Sequence, residues 1–152
     1  MDKELPIKKQ LLHTCKKELV QRKANIQDRL DDIVSGLQSE TKSTAGDKHE
    51  TGRAMLQIER EQVGRQLAET EKQEQVIKRI QIHKQARIAL GAVVHTDKEN
   101  YFLSIAMGAF VIDGISYYAI GLGSPLARIL LGKTTGDQFH FRERLYTISN
   151  VF

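Results

Sequence analysis

The sequence predicts an α+β protein: an N-terminal antiparallel α-helical coiled-coil hairpin over residues 1–88, with its tip at 41–50, then a small antiparallel β domain with one short helix over 89–152. Three observations predict it. Residues 1–85 hold 31 of the 42 Asp, Glu, Lys and Arg and no aromatic residue, whereas all nine Phe and Tyr lie between Tyr101 and Phe152. The first half carries a seven-residue apolar repeat with one interruption. The second half changes to short alternating or apolar runs broken by turn residues.

Leu12, Leu19, Ile26 and Ile33 recur every seventh residue, widened by Leu30 and Leu37, and no proline interrupts them, so residues 8–40 read as one amphipathic helix. Thr41-Lys42-Ser43-Thr44-Ala45-Gly46 loses the repeat and has turn composition. From Asp47 the grid returns at Leu56, Val63 and Ile77, flanked by Met55, Leu67 and Ile80, and predicts a second helix to about Gln85. Gly52 and Gly64 weaken it by roughly 1 kcal/mol each relative to Ala. Helices of matched length joined by a short turn pair antiparallel, and at 1.5 Å per residue each arm would reach about 50 Å.

After Leu90-Gly91, strands are predicted at 92–96, 101–106, 110–112, 116–121, 138–141 and 145–151. Asp113-Gly114 is a tight-hairpin signal. Ser124 to Gly132 has a capping Ser, a Pro at the first helical position and a terminating Gly, which predicts one short helix against the sheet.

The 152 residues carry a net charge of +4, which favours an anionic partner, yet acids and bases are interspersed along the helices as on an ordinary solvated face. Met1 to Lys9 is charged and contains Pro6, unlike a secretory signal, and no run approaches membrane-spanning length. Cys15 is the only cysteine and falls near the apolar seam, so a buried thiol and a reducing cytoplasm are expected. Nucleotide-binding motifs fail on residues: Gly132-Lys133-Thr134 ends like a P-loop, but the upstream glycine is Ala127, and Gly121-x-Gly123 is followed by Leu126 where a dinucleotide fingerprint needs Gly. His13, His83, His95 and His140 are scattered and read as surface or packing residues.

Gly46-Asp47-Lys48-His49-Glu50 sits at the break between the two helical segments. Structurally, Asp47 and Glu50 read as a capping box, each carboxylate accepting from the other residue's backbone N–H. Chemically, three residues on a helix also keep two carboxylates on neighbouring sites, able to hold a divalent cation or orient a water. Two carboxylates alone bind Mg²⁺ poorly, so a partner would have to complete the site. His49 diverges from both by about 100° along the helix and makes a poor third ligand. Lys48 and Arg53 read as phosphate contacts, with helix solvation as the alternative.

These residues resemble the Gre family of bacterial transcript-cleavage factors. Gly46-Asp47-x-x-Glu50 looks like the family's G-D-x-x-E, and Ser124-Pro125-Leu126 through Leu130-Leu131-Gly132-Lys133 to Gly136-Asp137 looks like its S-P-L-G-x-A-L-L-G-K-x-x-G-D. The resemblance covers nearly the whole chain in architecture and about twenty positions in motif. It implies that the second domain is FKBP-like and docks on bacterial RNA polymerase at the mouth of the secondary channel, with Ser124, Pro125 and Leu126 on the docking face. It implies further that Asp47 and Glu50 act at the 3′ end of the nascent RNA, where they share a Mg²⁺ with the polymerase and position a water. The factor would then be no enzyme alone, need no cofactor of its own and act as a cytoplasmic monomer, with nucleic acid, DNA included, met only inside the complex.

The chain departs from the family at the tip, where E-N-A-E-Y is replaced by Glu50-Thr51-Gly52-Arg53-Ala54, and in the second motif, where Ala127 and Ile129 replace Gly and Ala. The first departure motivates an alternative, a secondary-channel regulator that does not stimulate cleavage. Two further readings are a prolyl isomerase, disfavoured because the chain has no Trp to floor a deep aromatic pocket, and a coiled-coil dimer, disfavoured by the turn at 41–46.

Overall fold

The computed structural model describes the backbone of residues 2–42 and 46–152 and the side chains of 2–39 and 50–152. Two helices come first, α1 (Glu4–Lys42) and α2 (Gly46–Lys78). The helix α1 starts four residues before the apolar repeat predicts, because the Asp2 carboxylate accepts the N–H of Glu4 at 3.0 Å. Pro6 falls in the first turn, where its missing N–H has no intrahelical partner to lose. The chain forms two compact units, residues 19–74 and residues 1–18 with 75–152, and α1 and α2 each contribute to both.

In the unit spanning 19–74 the helices pair antiparallel: Arg22 donates to Gln73, Lys23 bridges Glu74 at 3.0 Å, and Arg29 reaches Gln66 and Glu59. From Arg22 and Lys23 to Arg29 the partners move back from 73–74 to 66 and 59, which only an antiparallel pair allows. The predicted seam is buried at Leu19, Ile26, Ile33, Leu37 and Val63, with Leu30, Leu56 and Leu67 packed against it. Thr70 occupies the grid position that lacks an apolar residue; it is buried, and its hydroxyl donates to the Gln66 carbonyl at 2.9 Å. Gly36 lets Leu56 close in, since a Cβ there would stand 3.2 Å from Leu56 Cδ1. Met55, expected beside the seam, is instead exposed on the outer face.

The second helix also ends earlier than predicted, at Lys78 and not near Gln85. Its last turn tightens, with Arg79 N–H donating to Val76 O and Ile80 N–H to Ile77 O. Beyond it the chain is irregular because its groups serve other partners: the His83 carbonyl accepts from Lys8 Nζ at 2.7 Å, and Ile80 is buried against Gly91. A helix would have spent that carbonyl on its own fourth residue. Gly91 has φ +87°, and a Cβ there would meet Ile80 at 3.1 Å.

Six strands follow, β1 (Val93–Thr96), β2 (Asn100–Ser104), β3 (Gly108–Ile112), β4 (Ile115–Gly121), β5 (Gln138–Phe141) and β6 (Arg144–Val151), with α3 (Pro125–Leu130) between β4 and β5. All six fall where the alternation predicts them. The sheet order is β3-β4-β2-β1-β6-β5, antiparallel except for β2 beside β4, so the fold is α+β. Asp113-Gly114 turns β3 into β4 with φ +51° and +78°, the left-handed pair that a two-residue hairpin demands.

Alternation gives the sheet two buried faces. On one, Val94, Tyr101, Leu103, Tyr146 and Ile148 pack with Leu126 and Leu130 of α3 and with Phe139. On the other, Cys15 Sγ of α1 lies 3.9 Å from Ser104 Oγ, Asn150 donates to Glu4 at 3.0 Å, and His95 packs against Tyr117 and Phe152. The Cys15 thiol is fully buried, and burial pushes it up to about 11. It is a packing group, since a nucleophile would need the thiolate.

Candidate functional site

Repeat and break together position the acids. The helix α1 ends at Lys42 and α2 begins at Gly46, so Asp47, Lys48 and Glu50 all belong to the first turns of α2 on a continuous helical backbone. Of the expected turn at 41–46, Thr41 and Lys42 instead close α1 and Gly46 opens α2, while residues 43–45 lie outside the described residues, as do the side chains of Asp47, Lys48 and His49. Glu50 and Arg53 are exposed, three residues apart on that helix, and Gly52 between them is half-buried. Among the described residues no group of three or more His, Cys, Asp and Glu comes together that could hold a metal.

The other residues singled out by sequence are in α3 and its cap. Ser124 accepts the N–H of Ala127 on its hydroxyl at 3.2 Å, a helix N-cap, and Pro125 follows at the first helical position, exposed. Leu126 is turned into the core beside Leu130. Gly132 leaves the helix at φ +83°, a conformation open to glycine at no steric cost. The motif from Ser124 to Gly132 therefore builds a short capped helix in which Pro125 and Arg128 are exposed.

One feature escaped sequence reasoning. Glu99, Tyr101, Tyr118, Phe141, Arg142, Arg144 and Tyr146 line a shallow recess of about 270 Å³ on the β domain. Arg144 bridges Glu99 at 3.1 Å, and Tyr101 donates to the same carboxylate at 3.3 Å. Desolvation would raise the Glu99 carboxyl, but the hydrogen bond and charge of Arg144 outweigh it and hold the group below the usual range. Burial pushes the Tyr101 phenol up. The residues come from β2 and the residue before it, β4, β5, β6 and the turn joining the last two, which meet only after the sheet forms, so no local spacing announces them.

A long antiparallel helical pair followed by a six-stranded, mostly antiparallel sheet with one short helix defines an α+β protein whose candidate acids stand at the start of α2. No family model matches the chain, and no curated protein matches it significantly. Among solved structures it is similar to the GreA factor homolog 1 (Gfh1) protein of Thermus thermophilus, at 20% identity over 90% of this chain and 93% of that one, with a TM-score of 0.36. It is similar also to Thermus aquaticus Gfh1, at 18% identity over 90% of this chain and 92% of that one, with a TM-score of 0.34. Among the described residues no helix is long and apolar enough to cross a membrane.

Proposed function

We propose that this chain is a Gre-like transcription factor that binds bacterial RNA polymerase at its secondary channel and stimulates cleavage of backtracked RNA through Asp47 and Glu50. One observation carries it: Glu50 is exposed at the start of α2, the helix that pairs antiparallel with α1 immediately across the break. Two carboxylates alone bind Mg²⁺ poorly, so the chain would hold the ion only as half of a site, the polymerase supplying the rest. In a two-metal centre that ion would stabilise an attacking or leaving oxygen. This chain's own part would be to hold the ion and orient a water, with Lys48 and Arg53 against phosphate and Ser124 and Pro125 on the docking face; Leu126, also expected there, is buried in the core and supports α3 from beneath.

A second function keeps the docking and drops the chemistry, making the chain a secondary-channel regulator without cleavage. Gly52-Arg53-Ala54 favours it, since a cation three residues beyond Glu50 opposes a second cation at the same acids. Incubation with a stalled, backtracked polymerase complex decides between them. Cleavage predicts a shortened transcript that Asp47→Ala or Glu50→Ala abolishes, with polymerase binding and helicity retained. Binding without shortening leaves the regulator, and absence of binding removes both.

A further inference from the structure

The recess on the β domain is walled by Tyr101, Tyr118 and Tyr146, and its rim is the turn from β5 to β6. That turn is Arg142-Glu143, with φ +51° and +65°, a two-residue hairpin whose left-handed positions ordinarily take Asn and Gly. Holding two long side chains there costs about 1–3 kcal/mol each. Such strain is retained where a side chain has work to do, and Arg142 is the residue it sets at the rim. Its guanidinium lies 5.1 Å from the Phe141 ring centre, and among the described residues it has no ion-pair partner.

The occupant's chemistry follows from what is already taken. Tyr146 is covered by Lys98 at 5.1 Å and Arg144 at 5.3 Å, and Phe141 by Arg142, so these ring faces are already supplied with cations. Glu99 is spent on Arg144 and Tyr101. An incoming cation would compete with Arg144 and Tyr101 for that carboxylate. What remains open is the Tyr118 ring, 41% exposed and 6.2 Å from Tyr101, beside a guanidinium that lacks a counter-charge. A volume of about 270 Å³ admits one planar ring system.

We infer that this recess binds a nucleotide, the base stacked on Tyr118 and the phosphate held by Arg142. Base stacking on an aromatic side chain beside a basic group is how single-stranded nucleic acid is bound without sequence readout. The ligand is either a free mononucleotide or one nucleotide of a strand, and the site stands whether or not Asp47 and Glu50 act on a transcript.

The test is a titration of the full chain with GMP, with a single-stranded RNA decamer and with inorganic phosphate, followed by NMR at the Arg142 side-chain N–H and the Tyr118 ring. We expect saturable shifts at both groups with GMP or the decamer, and none at Tyr118 with phosphate. Tighter binding of the decamer assigns the site to a strand; binding of GMP alone assigns it to the free nucleotide. Arg142→Asn, which suits the left-handed turn and removes the guanidinium, should weaken binding about tenfold while the fold is kept. Tyr118→Ala, on the exposed face of β4, should weaken it by a similar factor. No shift at Arg142 and Tyr118 with any probe, or binding unchanged in both variants, overturns the assignment.

Discussion

Lys8→Met should stabilise the protein at neutral pH and lose that advantage as the pH rises. Lys8 is fully buried, its Nζ donating to the His83 carbonyl at 2.7 Å, and burial lowers its amine from 10.5 to about 8, only partly opposed by Glu4. Below pH 8 both the folded and unfolded chains carry the proton, and the folded chain bears the full cost of a sealed ammonium. Between about 8 and 10.5 the unfolded chain still holds the proton that the folded chain has released, so stability rises with pH across this window. At 1.36 kcal/mol per pH unit the window corresponds to about 3 kcal/mol. The bond to His83 is lost in the variant and offsets part of this, leaving Lys8→Met about 1–2 kcal/mol more stable at pH 7. Urea unfolding of both proteins from pH 7 to pH 10, followed by circular dichroism, isolates the effect, because every other titrating group is common to the two. A difference that stays flat across that range, or a variant less stable at pH 7, refutes the reasoning.

Three further outcomes are expected. Arg142→Asn with Glu143→Gly converts the strained hairpin into the preferred Asn-Gly turn and should stabilise the chain by about 1–2 kcal/mol, seen as a rise of several degrees in the thermal midpoint. Val63→Ala, at a fully buried seam position, should cost about 2 kcal/mol in urea unfolding, whereas Met55→Ala, at a site 66% exposed, should stay within about 0.5 kcal/mol. The Cys15 thiol, pushed up to about 11 and sealed against Ser104, should react with a disulfide reagent at pH 8 only at the rate of unfolding; prompt reaction in the native protein would contradict its burial.

Elements whose cause is local were legible in the sequence. The seven-residue repeat gave the buried stripe of α1, Asp113-Gly114 gave its hairpin, and Ser124-Pro125 gave the cap and first turn of α3, because each is fixed by neighbours along the chain. The end of α2 was not legible: Ile80 continues the apolar grid, and what removes it from the helix is a set of partners at Lys8 and Gly91, far off in sequence. Met55 failed for a related reason, since beside a narrow seam one position of rotation separates buried from exposed. Strands β5 and β6 were found from alternation, although nothing in Arg142-Glu143 signals a turn. Of the candidate site, the sequence supplied the acids and the break beside them. The aromatic recess, assembled from four strands, left no trace in local spacing.

The work assigned to Asp47 and Glu50 is tested most directly by the Mg²⁺ requirement of transcript shortening in a stalled polymerase complex, measured with and without this chain. If its carboxylates complete the metal site, the half-saturating Mg²⁺ concentration falls when the chain is added and returns to the chain-free value with Glu50→Gln. An unchanged Mg²⁺ curve with the chain demonstrably bound would contradict that role.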